Sequence, residues 1–146
     1  MDRATALILA LAVGVLVAFQ PPANSALGHH ISDLGATLVS LSMSFLIIAV
    51  LLFVVGHPGR LSGLSAFRPE YALGGIAGAA VVGVSLIAVR PLGAGGVTAA
   101  LVAGQLIASV LIDRLGLLGV QRLPITAGRV AGVALVIVGA ALITRR

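Results

Sequence analysis

AGGVTAALVAGQLIASVLIDRLG, residues Ala94 to Gly116, is an apolar run of helix length with one amide, Gln105, near its middle. Thr98, Val102, Gln105, Ser109 and Asp113 follow one another at spacings of three or four, so on a helix they share one face. Apart from Arg114 near its end, the remaining positions are small or oily. A helix of that kind suits a bilayer, with its polar stripe turned toward other helices or a cavity.

The whole chain carries the same signature. Of 146 residues, 60% are hydrophobic and 9% charged, and the mean hydropathy is +1.21. Four acidic and nine basic residues cannot furnish the polar surface of a water-soluble fold of this size. The fold class expected is therefore all-α, an integral membrane bundle in contact with membrane lipid.

A net charge of +5 and an isoelectric point near 11.7 invite comparison with nucleic-acid binders. The placement of the charge argues otherwise: every cation is an Arg at or near the end of an apolar run, and no basic face or aromatic-interleaved patch exists. Such arginines read as interfacial anchors and topology signals. The chain has no Cys, which excludes disulfides, thiolate catalysis and Cys-ligated metals.

Five spans are expected, at about 4–27, 35–55, 71–89, 93–113 and 125–144, forming a single transmembrane domain. The first poses a boundary question, because Pro21 and Pro22 resemble a stop signal after Thr5 to Gln20. At roughly 1.5 Å per residue that stretch reaches only about 24 Å, short of a hydrocarbon core of roughly 30 Å. A helix continuing through the prolines to about Leu27 does cross, and membrane helices tolerate proline where neighbours satisfy the freed carbonyls. Met1 to Arg3 ahead of an apolar run also fits a signal peptide, but an uncleaved first helix explains the same residues.

Gln20 and Asn24, four apart, give the lower half of this helix a polar stripe. Gly28, His29, His30 and Asp33 are expected to form a polar turn into the second span. There Thr37, Ser40 and Ser44 share a face, though each hydroxyl can also bond its own backbone. His57 to Pro69 is a Gly-, Pro- and Ser-rich loop. The third span carries Gly74 and Gly78 at the spacing that lets helices approach closely, and Arg90-Pro91-Leu92-Gly93 turns the chain into the fourth. Leu115 to Leu123 is apolar but too short to cross, so it lies in the interface or against the bundle. On the fifth span Gly128, Gly132 and Gly139 mark an association face, toward a helix of this chain or of a second one.

Five spans put the two ends of the chain on opposite sides. Arg3, Arg60, Arg68, Arg114, Arg122 and Arg129 fall on the N-terminal side, against Arg90, Arg145 and Arg146, which places the N-terminus in the cytoplasm.

No metal-ligand spacing, nucleophile elbow, phosphate loop or paired-carboxylate site is present, and the three histidines fall in expected loops, so neither enzyme activity nor a cofactor is expected. What remains is a set of intramembrane polar groups. Gln20, Asn24, Ser40, Ser44, Gln105 and Ser109 are the candidates to line one substrate cavity, or else to bond helices together. Asp113 stands alone among acidic residues at a span end, where pairing with Arg114, Arg122 or Arg129 explains it. With no carboxylate at mid-membrane depth, neutral polar substrates suit the chain better than quaternary cations.

Several of these residues carry a resemblance. Gln20-x-x-x-Asn24-x-x-Leu27-Gly28, Arg90-Pro91-Leu92-Gly93-Ala94, Val102-Ala103-Gly104-Gln105-Leu106 with Ser109, and Asp113-x-x-Gly116 resemble the YdcZ-type five-helix proteins of the drug/metabolite transporter superfamily. The likeness spans nearly the whole chain, and VAGQLIASVLID is its most specific part. The chain is more distantly similar to small multidrug resistance exporters, with Gln20 near where those place an essential first-helix glutamate. Arg114 stands where the family commonly has His, and the Pro21-Pro22 pair is unusual.

The resemblance implies a half-transporter of the bacterial inner membrane, exporting a small polar or amphipathic metabolite or drug by alternating access. Ten-helix relatives contain two five-helix repeats of opposite orientation, so a single-copy chain would act as a dimer. It would be a homodimer, parallel or antiparallel, or pair with a paralogous subunit. The alternative is a non-transporting membrane subunit or assembly partner whose amides only join helices.

Overall fold

A computed structural model describes residues 2–56 and 58–145. Four long helices are apolar enough to cross a membrane: α1 (Arg3–Ile31), α2 (Asp33–Val54), α3 (Leu73–Leu115) and α4 (Ala127–Thr144). The chain forms two compact units, Met1–Arg90 and Pro91–Arg146, which divide within α3.

α1 starts where Asp2 caps it, its carboxylate accepting from the Thr5 N–H and the Thr5 hydroxyl, both at 2.8 Å. Those bonds, the amide's first, hold the Asp2 carboxyl below its ordinary range. The helix then runs for 29 residues through Pro21 and Pro22, as the length argument requires. At about 1.5 Å per residue it is roughly 43 Å long, enough to cross and emerge.

The polar turn expected at Gly28 to Asp33 shrinks to one residue. His29 and His30 belong to the last turn of α1, and Ser32 alone is non-helical, at φ 87° and ψ 156°. Ser32 serves both helices: its N–H bonds the Gly28 carbonyl at 3.0 Å, and its hydroxyl accepts from the Gly35 N–H at 3.2 Å. One residue that caps two helix ends leaves no room for a longer loop. His57 lies outside the described residues.

The Gly- and Pro-rich loop winds into two short 3₁₀ stretches, Pro58–Ala66 and Pro69–Ala72. The third and fourth expected spans both fall within the 43 residues of α3. Their separation rests on one non-helical residue, Gly93, at φ 71° and ψ 166°, a region open essentially to glycine alone. The expected turn Arg90 to Gly93 is thus helical up to Leu92.

In the first unit the buried apolar side chains are Ala36, Val82 and Leu86, accompanied by the polar Asn24, Ser25 and Ser85. α3 approaches α2 at Gly83, where an added Cβ would meet Thr37 at ordinary contact distance, 3.6 Å from its hydroxyl. The outward surface is oily, with Leu16, Phe45 and Phe53 each about 70% exposed as bilayer-facing residues are.

In the second unit α3 ends at Leu115, and the chain folds back on that end through Gly116 in the left-handed region. The Leu123 N–H bonds the Asp113 carbonyl at 3.0 Å, and Arg122 Nε donates to the Leu115 carbonyl at 3.2 Å. This fixes the segment expected to lie in the interface or against the bundle: it packs on the end of its own helix. Thr126 then caps α4, its hydroxyl accepting from the Arg129 N–H at 3.3 Å.

Candidate functional site

Because a single residue joins α1 to α2, the two helices fold back as a hairpin whose levels can be counted from Ser32. Asn24 and Ser40 each lie eight residues away, about 12 Å along the helix. They meet: Asn24 Nδ2 donates to Ser40 Oγ at 3.2 Å, and Asn24 is 9% exposed. Gln20 and Ser44 lie twelve residues from Ser32, one turn deeper, at about 18 Å. Polar groups thus occupy two successive levels of an otherwise apolar hairpin.

These groups are not equivalent. Ser44 Oγ donates to the Ser40 carbonyl at 3.0 Å, and Thr37 Oγ1 to the Asp33 carbonyl at 2.8 Å, the local backbone bonds open to any helical hydroxyl. Ser85, buried on α3, does the same toward Val82 at 3.2 Å. Gln20 is half-buried and, among the described residues, makes no side-chain hydrogen bond. Its amide and the carbonyl of Asn24 retain hydrogen-bonding capacity.

At the turn end of the same unit sits a charged cluster. Asp33, the first residue of α2, takes both terminal nitrogens of Arg90: Nη1 donates to Oδ2 at 3.0 Å and Nη2 to Oδ1. Arg90 Nε donates to the buried Ser25 hydroxyl at 3.2 Å. The fork therefore ties α1, α2 and α3 together at one level, with the bidentate geometry that favours Arg over Lys. Gly28 makes the space, since a Cβ there would fall 2.8 Å from Asp33 Oδ1.

This cluster corrects two sequence expectations. Asp113 is not the single acidic residue at a span end, because Asp33 opens α2. Arg90 is an ion-pair partner as well as a charge beside a turn. The available signal was topological: residues 28–33 and 90–93 are the two connections expected on the same side of the membrane.

In the second unit Asp113 pairs with Arg129, Oδ2 to Nη2 at 3.0 Å, one of the three partners expected. Gln105 and Ser109 are exposed on α3, and neither makes a side-chain hydrogen bond among the described residues. Gly132 and Gly139 on α4 have open space where a Cβ would stand, and Gly128 nearly so. The same is true of Gly74 and Gly78 on α3.

A family described as "Putative inner membrane exporter, YdcZ" matches residues 5–142. No curated protein and no solved structure matches the chain.

Proposed function

The chain belongs to the YdcZ family of inner-membrane exporters, and from that premise we propose that it exports a small polar or amphipathic metabolite or drug by alternating access. The family is one of exporters, not enzymes. The observation that carries the substrate class is the Asn24–Ser40 contact: amide and hydroxyl chemistry brought together about 12 Å into the hairpin, with Gln20 and Ser44 one turn deeper. An unsatisfied amide in an apolar medium costs several kcal/mol, so the half-buried Gln20 side chain calls for a polar partner. A neutral polar substrate supplies one without demanding a counter-charge.

We place the membrane crossings at five. α3 would measure about 64 Å at 1.5 Å per residue, roughly twice the hydrocarbon core, and Gly93 divides it near its middle. Counted from Gly93, Gln105 is twelve residues away, the distance that separates Gln20 and Ser44 from Ser32. In the five-span reading all three stand about 18 Å from a connection, close to midplane depth, where transporters of this architecture hold substrate. Gln20, Asn24, Ser40, Ser44, Gln105 and Ser109 are the proposed contacts. The working assembly is a dimer of oppositely oriented five-span units, by analogy with inverted repeats.

The test is Gln105→Leu in proteoliposomes, with flux of polar metabolites as readout. Loss of substrate-dependent flux, with expression and dimerisation unchanged, is the expected result. Unchanged flux overturns the assignment. A second reading, in which the polar groups join helices in a non-transporting subunit, is favoured by the Asn24–Ser40 bond, which links α1 to α2. It predicts that no metabolite class raises the melting temperature in detergent, whereas a bound substrate must raise it.

A further inference from the structure

The second unit holds an apolar groove of about 350 Å³ that the proposed transport site does not use. Ile107, Val110 and Leu111 of α3 form one wall, and Val130, Val133 and Ile137 of α4 the other. Gln105 and Ser109 lie on the opposite side of α3, since residues two positions apart on a helix point about 200° away from each other. On α4 the groove residues are likewise opposite the Gly128, Gly132 and Gly139 stripe. The groove is therefore neither the polar face nor the small-residue face.

The groove itself is lined by apolar side chains alone, and charged residues follow just beyond one of its ends. Arg129 lies four residues before Val133 and eight before Ile137, so it continues the α4 wall. Its Nη2 is held by Asp113, three residues beyond Val110 on the other wall. Its Nη1 is buried and has no acceptor among the described residues, although the Arg129 side chain as a whole is 31% exposed. Arg114 and Arg122 stand at the same end, three cations against the single carboxylate of Asp113.

We propose that this groove binds an anionic phospholipid, with an acyl chain between α3 and α4 and its phosphate among Arg114, Arg122 and Arg129. Charge complementarity selects the occupant. A second copy of the apolar helix would fill the groove but offer no anion to the arginines, and a zwitterionic lipid would bring a cation toward them. A phosphate accepts from the exposed guanidinium groups of Arg114 and Arg122 and also carries the required negative charge.

Native mass spectrometry of the purified full chain, titrated with phosphatidylglycerol or with phosphatidylcholine of the same acyl chains, tests the proposal. Phosphatidylglycerol should be retained at least about tenfold better, corresponding to about 1.4 kcal/mol. Arg114→Gln removes one of the three cations while leaving the Arg129–Asp113 pair intact, and should lower that preference. Ala134→Phe fills the groove without touching a charge, and should lower retention of both lipids. Lipid-free melting temperatures of the variants separate folding defects from lost binding. Equal retention of the two lipids by the unsubstituted chain overturns the proposal, as does full preference in both variants. If Ala134→Phe instead turns dimers into monomers with lipid retention intact, the groove belongs to a second copy and the proposal falls. None of these readouts depends on flux, so failure here is separable from failure of the transport reading.

Discussion

Gly28 shows how much one missing methyl can decide. It sits under the Asp33–Arg90 pair, where an added Cβ would meet Asp33 Oδ1 at 2.8 Å and Arg90 Nη2 at 3.3 Å. A carboxylate oxygen at the end of a free side chain could swing away, but this one is clamped by both terminal nitrogens of Arg90. Gly28→Ala should therefore lower the melting temperature in detergent by loosening the pair. In an Asp33→Ala background the same substitution should cost much less, because the group it collides with is gone. Equal costs in the two backgrounds would show that the ion pair is not what Gly28 accommodates. Arg90→Lys should also weaken the cluster, since one ammonium cannot reproduce the three directed bonds that Arg90 makes to Asp33 and Ser25.

At the scale of helices, Gly93 and Gly104 make opposite predictions although both lie within α3. Gly93 holds φ 71° and ψ 166°, where a side chain is strained by about 1–3 kcal/mol, so Gly93→Ala should destabilise by that order. Gly104 has ordinary helical geometry and open space for a Cβ, so Gly104→Ala should be neutral or stabilise by roughly 0.5–1 kcal/mol. Thermal unfolding of both variants in one detergent checks the contrast, and a stabilised Gly93→Ala would mean that the break is not a required conformation. The same elements show what was legible in the sequence. Apolar run lengths located the ends of α1, α2 and α4 to within two residues, except the C-terminal end of α1, which runs four residues further than expected. The length needed to cross also carried α1 through Pro21-Pro22 against the local proline signal. The two connections were harder to read, because a helix can break at a single residue, as it does at Ser32 through its capping bonds and at Gly93 through its backbone angles alone. The Asn24–Ser40 level was legible only as two separate stripes, since their meeting depends on the one-residue turn. The Asp33–Arg90–Ser25 cluster was invisible to periodicity, because its members are 57 and 65 residues apart.

For the molecule as a whole, the distribution of arginine bears on how a dimer can be built. In the five-span reading, six of the nine arginines lie on the N-terminal side and three on the other. Carboxylates contribute little to this signal, so the pairing of Arg90 with Asp33 and of Arg129 with Asp113 leaves the bias in place. A surplus of three should orient the chain with its N-terminus in the cytoplasm, and Ala66, in the loop between α2 and α3, should then face the cytoplasm too. The chain has no cysteine, so Ala66→Cys introduces the one thiol available to a membrane-impermeant maleimide. Labelling should occur in inside-out vesicles and be nearly absent in right-side-out ones. That outcome removes the antiparallel homodimer, because a chain inserted one way cannot supply both orientations, and an inverted partner would have to be a paralogous subunit. Labelling of about half the molecules from each face would mean instead that three arginines are too small a surplus to orient the chain. The open glycine stripe of α4 could then meet its own copy across the dimer.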